Sequence, residues 1–246
     1  MEAGMDKLVE KVYQHRNDYI IIGLTGKIGS GCTTAADFLT KTADDIVLPE
    51  INIGDTSRDD LRKKYIISRF YKKNWSQFTK ICVRDVITTF VLCNTFENLV
   101  AYIDKAIPDG IDIGFLKANY DEKMAYNDAF VAILEKRKNK QQVTKEDAEF
   151  VFNYLTKVLP PFTITIKKGL SAESYREFSK AFQLFGDNIR KSGCAIDETF
   201  DPKNIYSLAE RINIITKIFR IYNGHVGKKN YYVIDAFRNP FEVHFF

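Results

Sequence analysis

The sequence predicts an α/β fold, a parallel sheet flanked by helices. Three observations carry that expectation. Residues 19–25, YIIIGLT, form an unbroken β-rich apolar run that ends in glycine and threonine, the pattern of a strand buried on both faces. A glycine-rich turn at 26–34 follows and leads into helix-forming residues. A second apolar run, NYYVIDA at 230–236, ends in an aspartate. Strand, glycine turn and helix followed by another strand make a βαβ unit, and such units build parallel sheets.

The elements are read in order along the chain. Charged and apolar residues alternate at helical spacing over about 4–16, which predicts an amphipathic helix ahead of the first strand. After the glycine turn a helix is expected over about 33–42. A strand is expected over 45–53 (DIVLPEINI), with Pro49 marking an edge or a bulge. From 57 to about 159 the pattern is mostly helical, with a Lys- and Gln-rich break at 136–142 and a stop at Pro160 and Pro161. That length exceeds a crossover, so a helical insertion beside the sheet is expected at about 57–160. Residues 162–167, FTITIK, alternate and read as a short strand or an extended linker. Helices follow at about 172–192 and 205–222, then the strand at 230–236, then a helix start at Pro240, where proline suits the first turn. Residues 1–246 are thus expected to form one domain. Sheets of this kind hold about five strands, and only three or four can be counted here. The missing C-terminal strands are expected beyond Phe246.

Composition narrows the function classes. With 45% hydrophobic and 13% aromatic residues the chain can fill a core. Its longest apolar runs are far shorter than the ~20 residues that span a bilayer. The start of the chain alternates charged and apolar residues and lacks the basic and apolar regions of a secretory signal, so a cytoplasmic protein without membrane contact is expected. Cysteines at 32, 82, 93 and 194 form no CxxC pair, and histidines at 15, 225 and 244 lie in no HxE or HExxH setting. Neither a disulfide framework nor a zinc site is predicted, and the expected metal is magnesium carried by a nucleotide. The net charge of +4 is partly local. Arg58, Arg62, Lys63, Lys64, Arg69, Lys72, Lys73 and Lys80 recur in one stretch, which reads either as a solvated helix face or as a surface for polyphosphate or nucleic acid. Nucleic acid is not the expected partner.

The turn GKIGSGCTT at 26–34 stands where a strand feeds a helix, the context that gives the GxxxxGK[ST] pattern its meaning. Glycines let backbone N–H groups turn inward on phosphates, and the helix N-terminus adds its partial positive charge. Gly26, Gly29, Ser30, Gly31, Thr33 and Thr34 fit such a loop. Cys32 stands where the pattern has the lysine that bridges the β- and γ-phosphates. Lys27 reads either as a substitute cation, reaching phosphate even from a neighbouring subunit of a homo-oligomer, or as a solvated loop residue. Thr33 and Asp235 are the candidate magnesium residues, since an apolar strand ending in Asp places a carboxylate at the edge that the loop occupies. Arg238, just after it, could pair with an anionic ligand. Asp55, in IGDTSR, reads either as a catalytic carboxylate that orients a hydroxyl or a magnesium water, or as a helix cap. Gln183, Asp187 and Arg190 fall at helical three-to-four spacing on one face, solvated or in contact with substrate.

The stretches GLTGKIGSGCTT, IGDTSR, QLFGDNIR and YYVIDAFRNPFE, in this order, resemble the kinase-like P-loop domain related to dephospho-CoA kinase and deoxynucleoside monophosphate kinases. The nearest likeness is to the version that precedes bacterial deoxycytidylate deaminase-like proteins, some of which act in phage defence. The four stretches cover under a quarter of the chain. The resemblance implies a P-loop NTPase-type sheet, a nucleoside triphosphate or deoxynucleotide at 26–34 and magnesium at Asp235. It also implies an attached zinc deaminase of the HxE and PCxxC type, for which 1–246 contains no motif, so that zinc is expected only downstream.

Three functions compete on this reading. The first is a regulatory nucleotide-binding domain of a deaminase-like protein in nucleotide metabolism or phage defence. The second is an active nucleoside monophosphate or dephospho-CoA-like kinase, against which Cys32 counts. The third is a non-catalytic interaction module.

Overall fold

The computed structural model describes residues 19–27, 29–47, 58–107, 113–170, 175–237 and 239–246. The expected helix at 4–16 and most of the expected strand at 45–53 lie outside them. The fold is α/β, with a three-stranded parallel sheet flanked by helices. It divides into two compact units, one of Met1–Lys80 with Lys229–Asp235, the other of Ile81–Lys228 with Ala236–Phe246.

The first unit begins with β1 (Tyr19–Thr25), then helix α1 (Cys32–Leu39) and helix α2 (Arg58–Asn74). The short strand β2 (Thr79–Cys82) follows, and the chain returns much later as β3 (Asn230–Phe237). The sheet order is β1-β3-β2, so β3 is central. Its residues Tyr232, Val233 and Ile234 are fully buried, which explains the unbroken apolar run. Residues 45–47 are not a strand. Asp45 instead closes a turn in which Thr42 Oγ1 donates to Asp45 Oδ2 at 2.6 Å, and that bond with the Thr42 backbone N–H holds the Asp45 carboxyl below its ordinary pKa. Aspartate accepting from a residue three back favours a turn over a strand start.

The C-terminus of α1 is tied to the segment before β2. The Phe78 backbone N–H donates to the Leu39 carbonyl at 3.0 Å, Trp75 Nε1 to the Lys41 carbonyl at 2.8 Å and Gln77 Nε2 to the Thr40 carbonyl at 2.6 Å. Phe38 meets the Trp75 ring edge-on at 5.9 Å between centroids. These bonds satisfy the helix-end carbonyls that have no partner inside the helix.

The second unit is helical. Its helices are α3 (Val83–Val91), α4 (Phe96–Ala106), α5 (Lys117–Lys138), α6 (Lys145–Asn153), α7 (Leu159–Leu170), α8 (Tyr175–Ser192), α9 (Ser207–Val226) and the short α10 (Pro240–Phe245). Helix α9 buries Leu208, Ile212, Ile215, Ile218 and Phe219, spaced by three or four as a core-facing stripe requires. No single described helix is long and apolar enough to cross a membrane. Only α3 and α4 together meet that test, with a 110° bend between them.

Residues 162–167 correct the sequence reading, for they lie inside α7. A π-helical turn, Tyr154–Val158, joins α6 to α7 and carries the helix through the two prolines. Pro160 and Pro161 follow directly on the π turn, whose wider spacing gives their rings room inside a continuous helix. Leu159, Phe162 and Ile166 are buried while Ile164 is half exposed, which is helical and not alternating burial.

Candidate functional site

The candidate site lies in the first unit, at the end of the sheet where β1 gives way to α1. β1 ends at Thr25 and α1 begins at Cys32, so the connection is the predicted glycine turn. Gly29 and Gly31 have φ of 85° and 83°, the left-handed region that side chains with a Cβ disfavour. Gly26 is needed for a different reason. A Cβ there would stand 2.4 Å from Ser30 Oγ, because the loop folds back on itself. The Ser30 N–H donates to the Lys27 carbonyl at 3.0 Å and closes that turn.

Gly31 is the N-cap of α1 and no side chain caps the helix. The first backbone N–H groups of any helix lack carbonyl partners, and here they end in an exposed loop. An added Cβ at Gly29 or Gly31 would meet nothing within 4 Å, so the space beside the loop is open. This is the arrangement by which helix N-termini receive anions.

Asp235 comes from the end of the adjacent strand. Because β3 lies beside β1 and runs parallel to it, the carboxyl ends of both strands share one sheet edge. Asp235 is 3% exposed, and Thr33 Oγ1 donates to its Oδ1 at 3.3 Å. Thr33 is the second residue of α1, so the predicted pair of Thr33 and Asp235 is brought together. Thr34 is exposed beside them. Cys32 Sγ turns back into the loop, 3.3 Å from Ser30 Oγ.

Sequence reasoning missed the position of Lys80. It belonged to a basic stretch read as one surface, and β2, which carries it, was not expected at all. Its Nζ stands 2.7 Å from Asp37 Oδ1, where it donates a hydrogen bond, and 3.2 Å from Asp235 Oδ2. The second contact pairs opposite charges without hydrogen-bond geometry, so Asp235 Oδ2 is buried and accepts no hydrogen bond. Asp37, on α1, is largely exposed, and the ammonium is partly buried. Thr79 and Ile81 flank Lys80 with the β-branched residues that suit a strand, the one local signal that could have revealed β2.

The other candidates fall elsewhere. Lys27 is exposed at the loop surface. Asp55 and Arg238 lie outside the described residues. Gln183 and Arg190 are in the second unit, on α8. Gln183 is exposed, and Arg190 donates through Nε and Nη2 to Glu242 Oε1 at 2.9 and 2.6 Å. Its Nη1 also donates to Asp187 Oδ1 at 3.1 Å, so the expected face does form. Glu242 is buried, which makes the two bonds from Arg190 to its Oε1 a structural tie between α8 and α10.

Among the described residues no group of three His, Cys, Asp or Glu side chains could hold a metal ion. Thr33 and Asp235 offer one hydroxyl and one carboxylate. That set suits magnesium, which keeps most of its waters and its phosphate oxygens and needs few protein ligands. No family model matches the sequence, and no curated protein or solved structure matches it.

Proposed function

We propose that the chain binds a nucleoside triphosphate with its magnesium at residues 26–34, as a regulatory P-loop domain with little phosphoryl transfer of its own. The observation that carries this reading is the meeting of Thr33 with Asp235 at the mouth of an uncapped helix. Backbone N–H groups of the loop and of α1 would receive the phosphates. Thr33 and Asp235 would hold the magnesium ion, which would offset the charge of the phosphates. Cys32, with its thiol turned toward Ser30, supplies no charge to a developing phosphate anion, which favours binding over rapid transfer. The resemblance extends the proposal to control of an attached zinc deaminase that acts on a cytosine deoxynucleotide.

A kinase is the second reading, favoured by the ammonium of Lys80 beside Asp235. Both readings need the same loop. Titration calorimetry with ATP, GTP and dATP, each with magnesium, should give saturable binding below millimolar concentration. Gly31→Val should abolish it, because a β-branched residue is strained at φ 83° and would fill the phosphate volume. Absence of binding by all three nucleotides would remove both readings. Steady transfer of the γ-phosphoryl group to a deoxynucleoside monophosphate or to dephospho-CoA would put the kinase first.

A further inference from the structure

We propose that Lys80 supplies, from β2, the phosphate cation that position 32 lacks, and that it leaves Asp235 when a magnesium-bound triphosphate arrives. The inference rests on the nucleotide-binding reading and adds to it the residue that tells triphosphate from diphosphate.

Three features of the first unit lead to it. The ammonium of Lys80 lies between α1 and β3, in contact with one carboxylate from each, Asp37 and Asp235. Asp235 is the same side chain that accepts from Thr33 at the start of α1. One buried carboxylate therefore joins the cation to the phosphate loop. The loop itself offers no cation at position 32, where Cys32 stands.

The chemistry of these contacts favours exchange over permanence. Asp235 is buried, and its Oδ2 accepts no hydrogen bond, so Lys80 holds it by charge alone. An ammonium and a magnesium ion with its waters compete for that oxygen, since like charges repel at such range. The pair with Asp37 offers little resistance, because Asp37 is 61% exposed and exposed ion pairs are weak. A triphosphate brings both the anion that attracts Lys80 and the divalent cation that replaces it on Asp235. The four-carbon stem of lysine lets the point charge shift without moving the strand. Lys80 thus pairs with Asp235 here, and with a triphosphate bound it would neutralise phosphate.

The test is titration calorimetry on the full chain with ATP and ADP, each with magnesium, for the unsubstituted protein, Lys80→Met, Lys80→Arg, Lys27→Ala, and Lys80→Met combined with Cys32→Lys. Lys80→Met should weaken ATP binding by about tenfold or more, as for loss of one charge-assisted contact, and ADP binding by less. Lys80→Arg should retain most of the affinity. Cys32→Lys should restore to Lys80→Met both the affinity for ATP and the preference for ATP over ADP. ATP affinity within twofold of the unsubstituted value in Lys80→Met would overturn the proposal while leaving the nucleotide reading intact. So would a loss that Cys32→Lys fails to restore, or a loss of triphosphate preference in Lys27→Ala alone. Failure of the unsubstituted chain to bind either nucleotide is a separate result, and it would remove the nucleotide reading and this inference together.

Discussion

Tyr120 and Tyr154 stand among the largest fully buried side chains, and each ends in a hydroxyl with a defined partner. Tyr120 OH lies 3.0 Å from the carbonyls of both Val91, the last residue of α3, and Asn94, three residues beyond it. Tyr154 OH donates to Asn127 Oδ1 at 3.2 Å, and Asn127 Nδ2 donates in turn to the Thr89 carbonyl at 2.9 Å. Burial pushes both phenols well above their ordinary pKa, so they remain neutral donors across the working range. Tyr120→Phe keeps the ring and removes the donor, leaving buried carbonyl capacity unmet. It should cost about 1–3 kcal/mol, seen as a lower urea midpoint with an unchanged slope. None of this network could be read from the sequence, because a tyrosine's partner is set by packing across distant helices. The glycine turn at 26–34 was legible for the opposite reason. Gly26, Gly29, Gly31 and Thr33 act within nine consecutive residues, where spacing alone fixes geometry. Lys80 was not legible as a site residue, since its meeting with Asp235 depends on the order of strands.

Elements with strong local signals were read correctly, among them β1, α1, α9, β3 and the start of α10 at Pro240. Two errors have definite causes. β2 is four residues long, too short for alternation to show inside a stretch that is otherwise helical. Residues 162–167 alternate by chance, and the helical spacing of Leu159, Phe162 and Ile166 was hidden by the prolines before them. Helix α6 shows a clear start signal that composition alone did not place. Thr144 Oγ1 accepts from the Asp147 N–H at 3.1 Å, Asp147 Oδ2 accepts from the Thr144 N–H at 3.2 Å, and Lys136 pairs with Asp147. Thr144→Ala removes half of this capping box and should lower stability by about 1 kcal/mol. Amide exchange in the first turn of α6 should quicken correspondingly, and unchanged exchange would mean that the cap contributes nothing.

Across the whole molecule burial is uneven. Among the described residues of the first unit, the buried apolar side chains are Ala36, Ile46, Tyr232, Val233 and Ile234, whereas the second unit holds the long stripe of α9 and the aromatic contacts around Tyr154. Regions with few buried apolar contacts open at lower free energy. Amides of α1 should therefore exchange faster than those of α9 in the empty protein. A nucleotide at a hundred times its dissociation constant should slow exchange in α1 by about a hundredfold, the mass-action equivalent of ~2.7 kcal/mol. Gly31→Val should show no such slowing. The bare N-cap at Gly31 has one more consequence, which concerns engineering. Stability design would place Asn there, which tolerates the left-handed conformation, for a gain of about a few tenths of a kcal/mol over glycine. The gain would come from a side-chain oxygen on the N–H groups that the proposed phosphate would use. This position is a place where thermal robustness and responsiveness to a ligand draw on the same donors, and selection for one would erode the other.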